Sequence, residues 1–159
     1  MSGEHTAFFY GTLMVPEVFY SVCYGTKSPP EAVKSLHTFT PAVLNDHCRR
    51  RVKLADYPGV IAEAGHNVRG IYATGLTDAN MVKLDHFEGS EYERVTVSVN
   101  PLKSLDGDET HGPSQKTGVY IFLHPDELEQ KEWDVDEFRR DKMELWTRGD
   151  WAYNEGMGA

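Results

Sequence analysis

The sequence predicts a single-domain α+β protein built from many strands and about three helices. Three observations carry this expectation. Runs rich in aromatic and β-branched residues recur at residues 6–10, 68–76, 92–100 and 118–123 and read as strands. Segments 16–24 and 78–87 instead carry helical apolar spacing, with start and stop signals at their ends. These elements do not alternate in regular βα order, which argues against a doubly wound parallel sheet. The 159 residues, 40% of them hydrophobic, give one domain enough interior for a core. That domain is expected to span 1–159, with its core at about 7–146 and a Gly-rich, mobile tail at 147–159.

The first strand, Thr6-Ala7-Phe8-Phe9-Tyr10, lacks breakers and reads as buried. Gly11 lets the backbone turn sharply with no Cβ in the way. Pro16 opens a helix, because its φ is already set and its missing N–H would have no partner there. Val18 and Val22 share a face of that helix, Cys23 sits beside them, and Gly25 is the stop. Residues 26–35, with Pro29-Pro30, read as a loop. Strands are expected at 38–46 and 49–54, a turn at Tyr57-Pro58-Gly59, and strands at 60–62 and 68–76. Thr77 caps the next helix, in which Met81, Leu84 and Phe87 recur every three residues and Gly89 ends the run. Residues 92–100 alternate cleanly. Residues 101–116 are polar, contain Gly107 and Gly112-Pro113, and form the longest expected loop. After the strand at 118–123, a last helix opens on a capping box, Asp134 and Glu137, with Trp133 and Phe138 as a hydrophobic staple.

Charge and composition exclude several functions. A formal net charge of −9 argues against nucleic acid as a partner, since phosphate binding needs clustered positive charge. The Arg49-Arg50-Arg51 run is too short to reverse this, and its side chains are expected to be solvated at a strand edge. Two cysteines, Cys23 and Cys48, are too few for a disulfide scaffold, and Cys23 is expected to pack as a small apolar residue. The seven histidines are scattered and form no His-x-x-x-His pair, so no metal and no cofactor is expected. No stretch reaches the roughly 20 apolar residues that span a bilayer, and the first residues lack a signal-peptide pattern. A cytoplasmic protein without nucleic-acid or membrane partners is the resulting expectation, with the oligomeric state left open.

The ordered set Tyr10-Gly11-Thr12-Leu13, Tyr57-Pro58, Leu84-Asp85-x-Phe87-Glu88-Gly89 and Tyr92-x-Arg94 resembles the gamma-glutamyl cyclotransferase-like family. It is most similar to the small plant and fungal members of the avirulence-induced-gene type, and the resemblance covers about residues 7–145. It implies a small mixed β-barrel flanked by helices, with one cavity near its open end. It also implies a metal-independent acyltransferase whose substrate carries a γ-glutamyl group. The substrate's own α-amine attacks the γ-carbonyl, giving 5-oxoproline and a released amine or amino acid.

On the residues alone, Glu88 is either a solvated glutamate at a frayed helix end or a buried acid/base. A helix C-terminus and an aromatic surrounding both disfavour its charged form. The resemblance implies the second role, because Glu88 matches the family's catalytic glutamate. Gly11, Thr12 and Leu13 would offer backbone N–H groups to the substrate carboxylate or to the oxygen of the tetrahedral intermediate. Tyr10 either lines the cavity or packs as a buried aromatic. Tyr57 and Pro58 form a rigid turn at the rim, and Tyr92 reaches back toward the pocket. Tyr120 stands near the glutamate or serves the core. Arg94 is expected in a structural salt bridge, Asp85 in a structural role and His86 on the surface. Two other readings stay open: a non-catalytic binding or regulatory protein on the same fold, and an enzyme for a related acyl or amine substrate in specialised metabolism.

Overall fold

The long polar and aromatic runs organise around one five-stranded ring. A computed structural model describes residues 3–53, 58–105 and 108–132 of the chain. Strand β1 (His5–Phe9) leads through a 3-10 turn (Thr12–Met14) into helix α1 (Pro16–Tyr24) and a short helix α2 (Glu31–Lys34). Strands β2 (Thr38–Val52) and β3 (Pro58–Leu76) follow, then helix α3 (Asp78–Glu88). Strands β4 (Tyr92–Leu105), β5 (Asp108–His111), β6 (Gln115–Phe122) and β7 (Leu128–Glu132) complete the described elements. The sheet runs β5-β4-β6-β1-β3-β2-β7, and a further β4–β2 pairing closes the middle five strands into a barrel. β1 and β6 run parallel, with Ala7 opposite Gly118, while the other pairs are antiparallel. The four expected strands at 6–10, 68–76, 92–100 and 118–123 are all members of this one sheet.

Alternation along the strands sorts side chains to the two sides of the wall. Phe8, Tyr10, Ala42, Leu44, Val60, Val68, Val99 and Val119 fill the barrel interior. Ala7, Phe9, Ala73, Tyr120 and Phe122 face outward and pack beneath Val18, Phe19, Leu84 and Phe87 of the two longer helices. Gly70 permits a close approach between strands in the wall. A Cβ there would stand 2.3 Å from the Phe9 carbonyl oxygen and 2.7 Å from Phe8 Cζ.

Three expectations change. Residues 38–52 and 58–76 form two long strands where four short ones were expected. The register pairs Asn45 with Asn67 and His47 with Ala62, so residues 63–66 bulge opposite Asp46. Asp46 (φ 59°) and Gly65 (φ 84°) are left-handed there, and the Gly65 N–H donates to Asp46 Oδ1 at 3.3 Å. The residues that read as strand breaks are therefore bulge residues, which bend a ladder without ending it. The expected loop at 101–116 is largely a hairpin, with Leu102 opposite His111 and Leu105 opposite Asp108. A polar ribbon appended to a barrel has little apolar alternation to betray it. Within 26–35, residues after Pro30 wind into α2, with Val33 and Lys34 N–H groups donating to the Pro30 carbonyl at 2.9 and 3.1 Å. The expected helix at Trp133, Asp134, Glu137 and Phe138 and the tail at 147–159 lie outside the described residues. Among the described residues no helix is long and apolar enough to cross a membrane.

Candidate active site

Both ends of α3 are fixed by residues the sequence placed there. The Asn80 N–H donates to Thr77 Oγ1 and the Thr77 N–H donates to Asn80 Oδ1, each at 3.0 Å, a reciprocal cap that satisfies two first-turn donors. At the other end the Gly89 N–H donates to the Asp85 carbonyl at 3.1 Å. Gly89 has φ 77°, a conformation that glycine adopts without steric cost. Glu88 is thereby the last residue of the helix. It lies four residues after buried Leu84, on the helix face that meets the barrel, and is 1% exposed. His86 is on the exposed face, as expected.

The Glu88 charge acts on two tyrosines from different strands. Burial, and next the Glu88 carboxylate, push the Tyr10 hydroxyl well above its ordinary pKa, while Arg49 opposes them. Burial raises Tyr120 too, followed by its bond to Asp85 and then the charges of Asp85 and Glu88. Both phenols are held neutral. The Tyr10 hydroxyl donates to the Tyr120 carbonyl oxygen at 2.6 Å, joining β1 to β6. The Tyr120 hydroxyl donates to Asp85 Oδ1 at 2.7 Å. Asp85 also receives Arg94, with Nε 3.0 Å from Oδ1 and Nη2 3.1 Å from Oδ2. Asp85 and Arg94 thus form a half-exposed brace that orients Tyr120. Tyr10, Tyr120 and Glu88 are brought together.

A second contact fastens the start of β3. The Tyr92 hydroxyl donates to the Pro58 carbonyl at 2.7 Å, and the Tyr92 ring meets Phe122 edge-on at 5.3 Å. Pro58, Tyr92 and Tyr120 are buried on the wall beside α3. Tyr57 lies outside the described residues. At Gly11 the backbone enters the 3-10 turn, whose first bonds run from the Met14 N–H to the Gly11 carbonyl (3.0 Å) and from Val15 N–H to the Thr12 carbonyl (3.2 Å). The N–H groups of Gly11, Thr12 and Leu13 precede these bonds, and all three residues are buried.

Arg49 is the site residue that sequence reasoning missed. It was expected to be solvated with Arg50 and Arg51, yet Arg49 and Arg50 are partly buried within β2 and only Arg51 is exposed. Arg49 pairs with Val60 across the ladder and shares its inward face. Its Nη1 donates to the Tyr10 carbonyl at 2.7 Å and the Arg69 carbonyl at 3.1 Å, and lies 3.7 Å from Met14 Sδ. The guanidinium therefore clamps the chain next to the Gly11 turn. The available signal was the alternation itself: three successive strand residues cannot all face water from the wall of a closed barrel. An open groove of about 330 Å³ runs along the outside of β1, β4 and β6, lined by Thr6, Arg94, Thr96 and Lys116 among others. Glu88 does not line it.

A profile of the gamma-glutamyl cyclotransferase, AIG2-like family matches residues 7–151. The chain belongs to this family. Protein AIG2 C of Arabidopsis thaliana is 30% identical over 137 residues, covering 86% of this chain and 73% of that one. AIG2-like protein D of the same plant is 31% identical over 148 residues, covering 91% and 87%. Among solved structures, a solution structure of an Arabidopsis thaliana protein superposes with a TM-score of 0.62 at 26% identity, covering 95% of this chain and 82% of that one. A structure described as a gamma-glutamyl cyclotransferase shares the fold, with a TM-score of 0.50 at 12% identity over 94% and 86%. The barrel of five mixed strands, two added strands and flanking helices is the architecture of this family.

Proposed function

We propose that this member of the family is a gamma-glutamyl cyclotransferase-type enzyme in which Glu88 is the general acid/base. The observation that carries the reading is the burial of Glu88, at 1% exposure, beside Tyr10 and Tyr120. A solvated residue at a frayed helix end would have neither the burial nor these neighbours. Burial and the negative end of α3 both act against the charged form, which suits a carboxylate that takes and returns a proton.

The reaction asks for little else. The substrate α-ammonium gives a proton to Glu88, and its nitrogen then forms a bond to the γ-carbonyl carbon. The tetrahedral intermediate collapses as the bond to the leaving nitrogen breaks. Glu88 returns the proton to that nitrogen, and the ring nitrogen's second proton passes to the released amine, so 5-oxoproline and an ammonium product leave with no net proton change. The nucleophile is tethered within the substrate, and effective molarities for such closures reach about 10⁵ M or more. Gly11, Thr12 and Leu13 would present N–H groups to the substrate carboxylate or the developing oxyanion. Arg49 would hold that turn in place through the Tyr10 carbonyl. Tyr10, Tyr120, Tyr92 and Pro58 would form the wall against which the γ-glutamyl part packs, with Tyr57 at its rim. The test is incubation with a panel of glutathione, γ-glutamyl amino acids and γ-glutamyl-ε-lysine, followed for 5-oxoproline. Release from at least one compound is expected; ligand binding without release from any of them refutes the enzyme reading.

A further inference from the structure

On the outer face of the barrel, the bulge between β2 and β3 gathers three side chains that can ligate a metal. Cys48 Sγ, a Glu63 carboxylate oxygen and a His66 ring nitrogen all lie within 4.8 Å of one another. His66 Nε2 is 3.8 Å from Glu63 Oε1. The ladder explains this convergence. Cys48 pairs with Ile61, so Glu63, two residues on, projects from the same face. Ile61 packs against the helix-side cluster, whereas its neighbour Val60 lines the interior. The left-handed turn at Gly65, tied to Asp46, then brings His66 back over Glu63. The bulge thus does what such irregularities do elsewhere, re-aiming a side chain.

We propose that Cys48, Glu63 and His66 form a binding site for one borderline-soft divalent cation, for which Zn²⁺ is the best match. Thiolate, imidazole and carboxylate are the three zinc ligand classes, with bonds of about 2.0–2.3 Å. Ligand atoms around a tetrahedral centre of that size stand about 3.3–3.8 Å apart. The His66–Glu63 separation of 3.8 Å is about 0.4 Å beyond the nitrogen–oxygen spacing of such a site, and the thiol has about an ångström to travel. Water would take the fourth position. Magnesium and calcium prefer all-oxygen sets and are excluded by the thiol and imidazole.

Arg50 supports the arrangement from behind. Its Nη2 lies 3.0 Å from Glu63 Oε1 and 2.8 Å from Oε2. A carboxylate offers about four acceptor positions, so Oε1 can bind a cation while Oε2 keeps Arg50. Such outer hydrogen bonds orient metal ligands in known sites. A thiol that coordinates such a cation is deprotonated by the cation's own charge. Cys48 is only 2% exposed, whereas the His66 side chain is 49% exposed and provides the entry side.

The site is tested on the metal-stripped full chain, with Zn²⁺ followed by calorimetry and Co²⁺ by absorbance. One equivalent should bind, and cobalt should give a thiolate charge-transfer band. Cys48→Ala should abolish that band and Cys23→Ala should leave it. Loss of an outer partner alone typically costs about 10–100-fold in metal affinity, so His66→Ala and Glu63→Gln should each weaken Zn²⁺ binding at least tenfold. His66 and Glu63 are partly exposed, so these two variants carry the test even where Cys48→Ala fails to fold. Absence of saturable Zn²⁺ uptake, or uptake indifferent to both His66→Ala and Glu63→Gln, overturns the proposal.

Discussion

Glu88→Gln separates proton transfer from every other property of the residue. Glutamine matches glutamate in size, so the 1%-exposed position gains no cavity. Neither end of α3 depends on this side chain: the caps use Thr77, Asn80 and the Gly89 backbone. The amide can neither accept the α-ammonium proton nor donate to the leaving nitrogen. General acid–base catalysis is worth about 10²–10⁴-fold, or about 3–5 kcal/mol of barrier. The tethered nucleophile and the backbone donors are untouched, so activity above the uncatalysed closure should remain. Steady-state release of 5-oxoproline should therefore show kcat down by about two to four orders of magnitude with KM near the parent value. A thermal melt supplies the control, since each kcal/mol of lost stability moves Tm by about 2–4 °C at this chain length. The expected Tm stays within that interval. Turnover within a factor of three of the parent by a folded Glu88→Gln protein refutes the mechanism.

Asp85→Asn should reduce kcat far less than Glu88→Gln, because Asp85 acts on Tyr120 and Arg94 through a half-exposed brace; paired rate measurements on the two variants check this. Gly70→Ala should destabilise by about 1–3 kcal/mol or more, the usual cost of overpacking, since the added Cβ would meet the Phe9 carbonyl at 2.3 Å; denaturant unfolding measures it. His37 bonds the Tyr24 hydroxyl at 2.6 Å, and burial lowers its pKa below 6.5. The unfolded chain therefore takes up the proton first, and stability falls as pH drops below about 6.5. His37→Gln should lose less stability over that window, and unfolding at a series of pH values decides it. Exhaustive chelation should leave 5-oxoproline release intact, because a tethered nucleophile and one carboxylate leave no task for a cation; a proportional loss on chelation contradicts this.

Helix α3 was legible to the residue at its start, because capping and glycine chemistry are local and Thr77 and Gly89 announce them. The barrel strands were legible as segments because each buries a face and so carries a period of two. Their continuity was not. Asp46 and Gly65 look like loop residues, and only pairing shows that the ladder continues past them. The 101–105 and 108–111 ribbon hid for the opposite reason, since little apolar pattern marks it. Closure into a ring came from the ordered motifs and not from any local signal, because the β4–β2 contact joins segments far apart in the chain. At the site, Glu88 and its two tyrosines were named in advance. The inward turn of Arg49 and the meeting of Cys48 with Glu63 and His66 depend on register, which a one-dimensional pattern does not encode.

The parallel seam between β1 and β6 has a consequence for how this chain is made. The Thr6 and Thr117 hydroxyls bond at 2.8 Å across 111 residues of sequence. A parallel neighbour cannot be reached by a tight turn, and pairings of such separation slow folding. On the ribosome, β1 can join β3 long before β6 exists. Until then one margin of β1 keeps its backbone donors and acceptors unmet, with Phe8 and Phe9 beside them. An open apolar margin is a template for intermolecular pairing. A nascent or truncated chain ending before Gln115 therefore has a half-built wall that invites association with other chains. Synthesis through Phe122 supplies the strand that seals it.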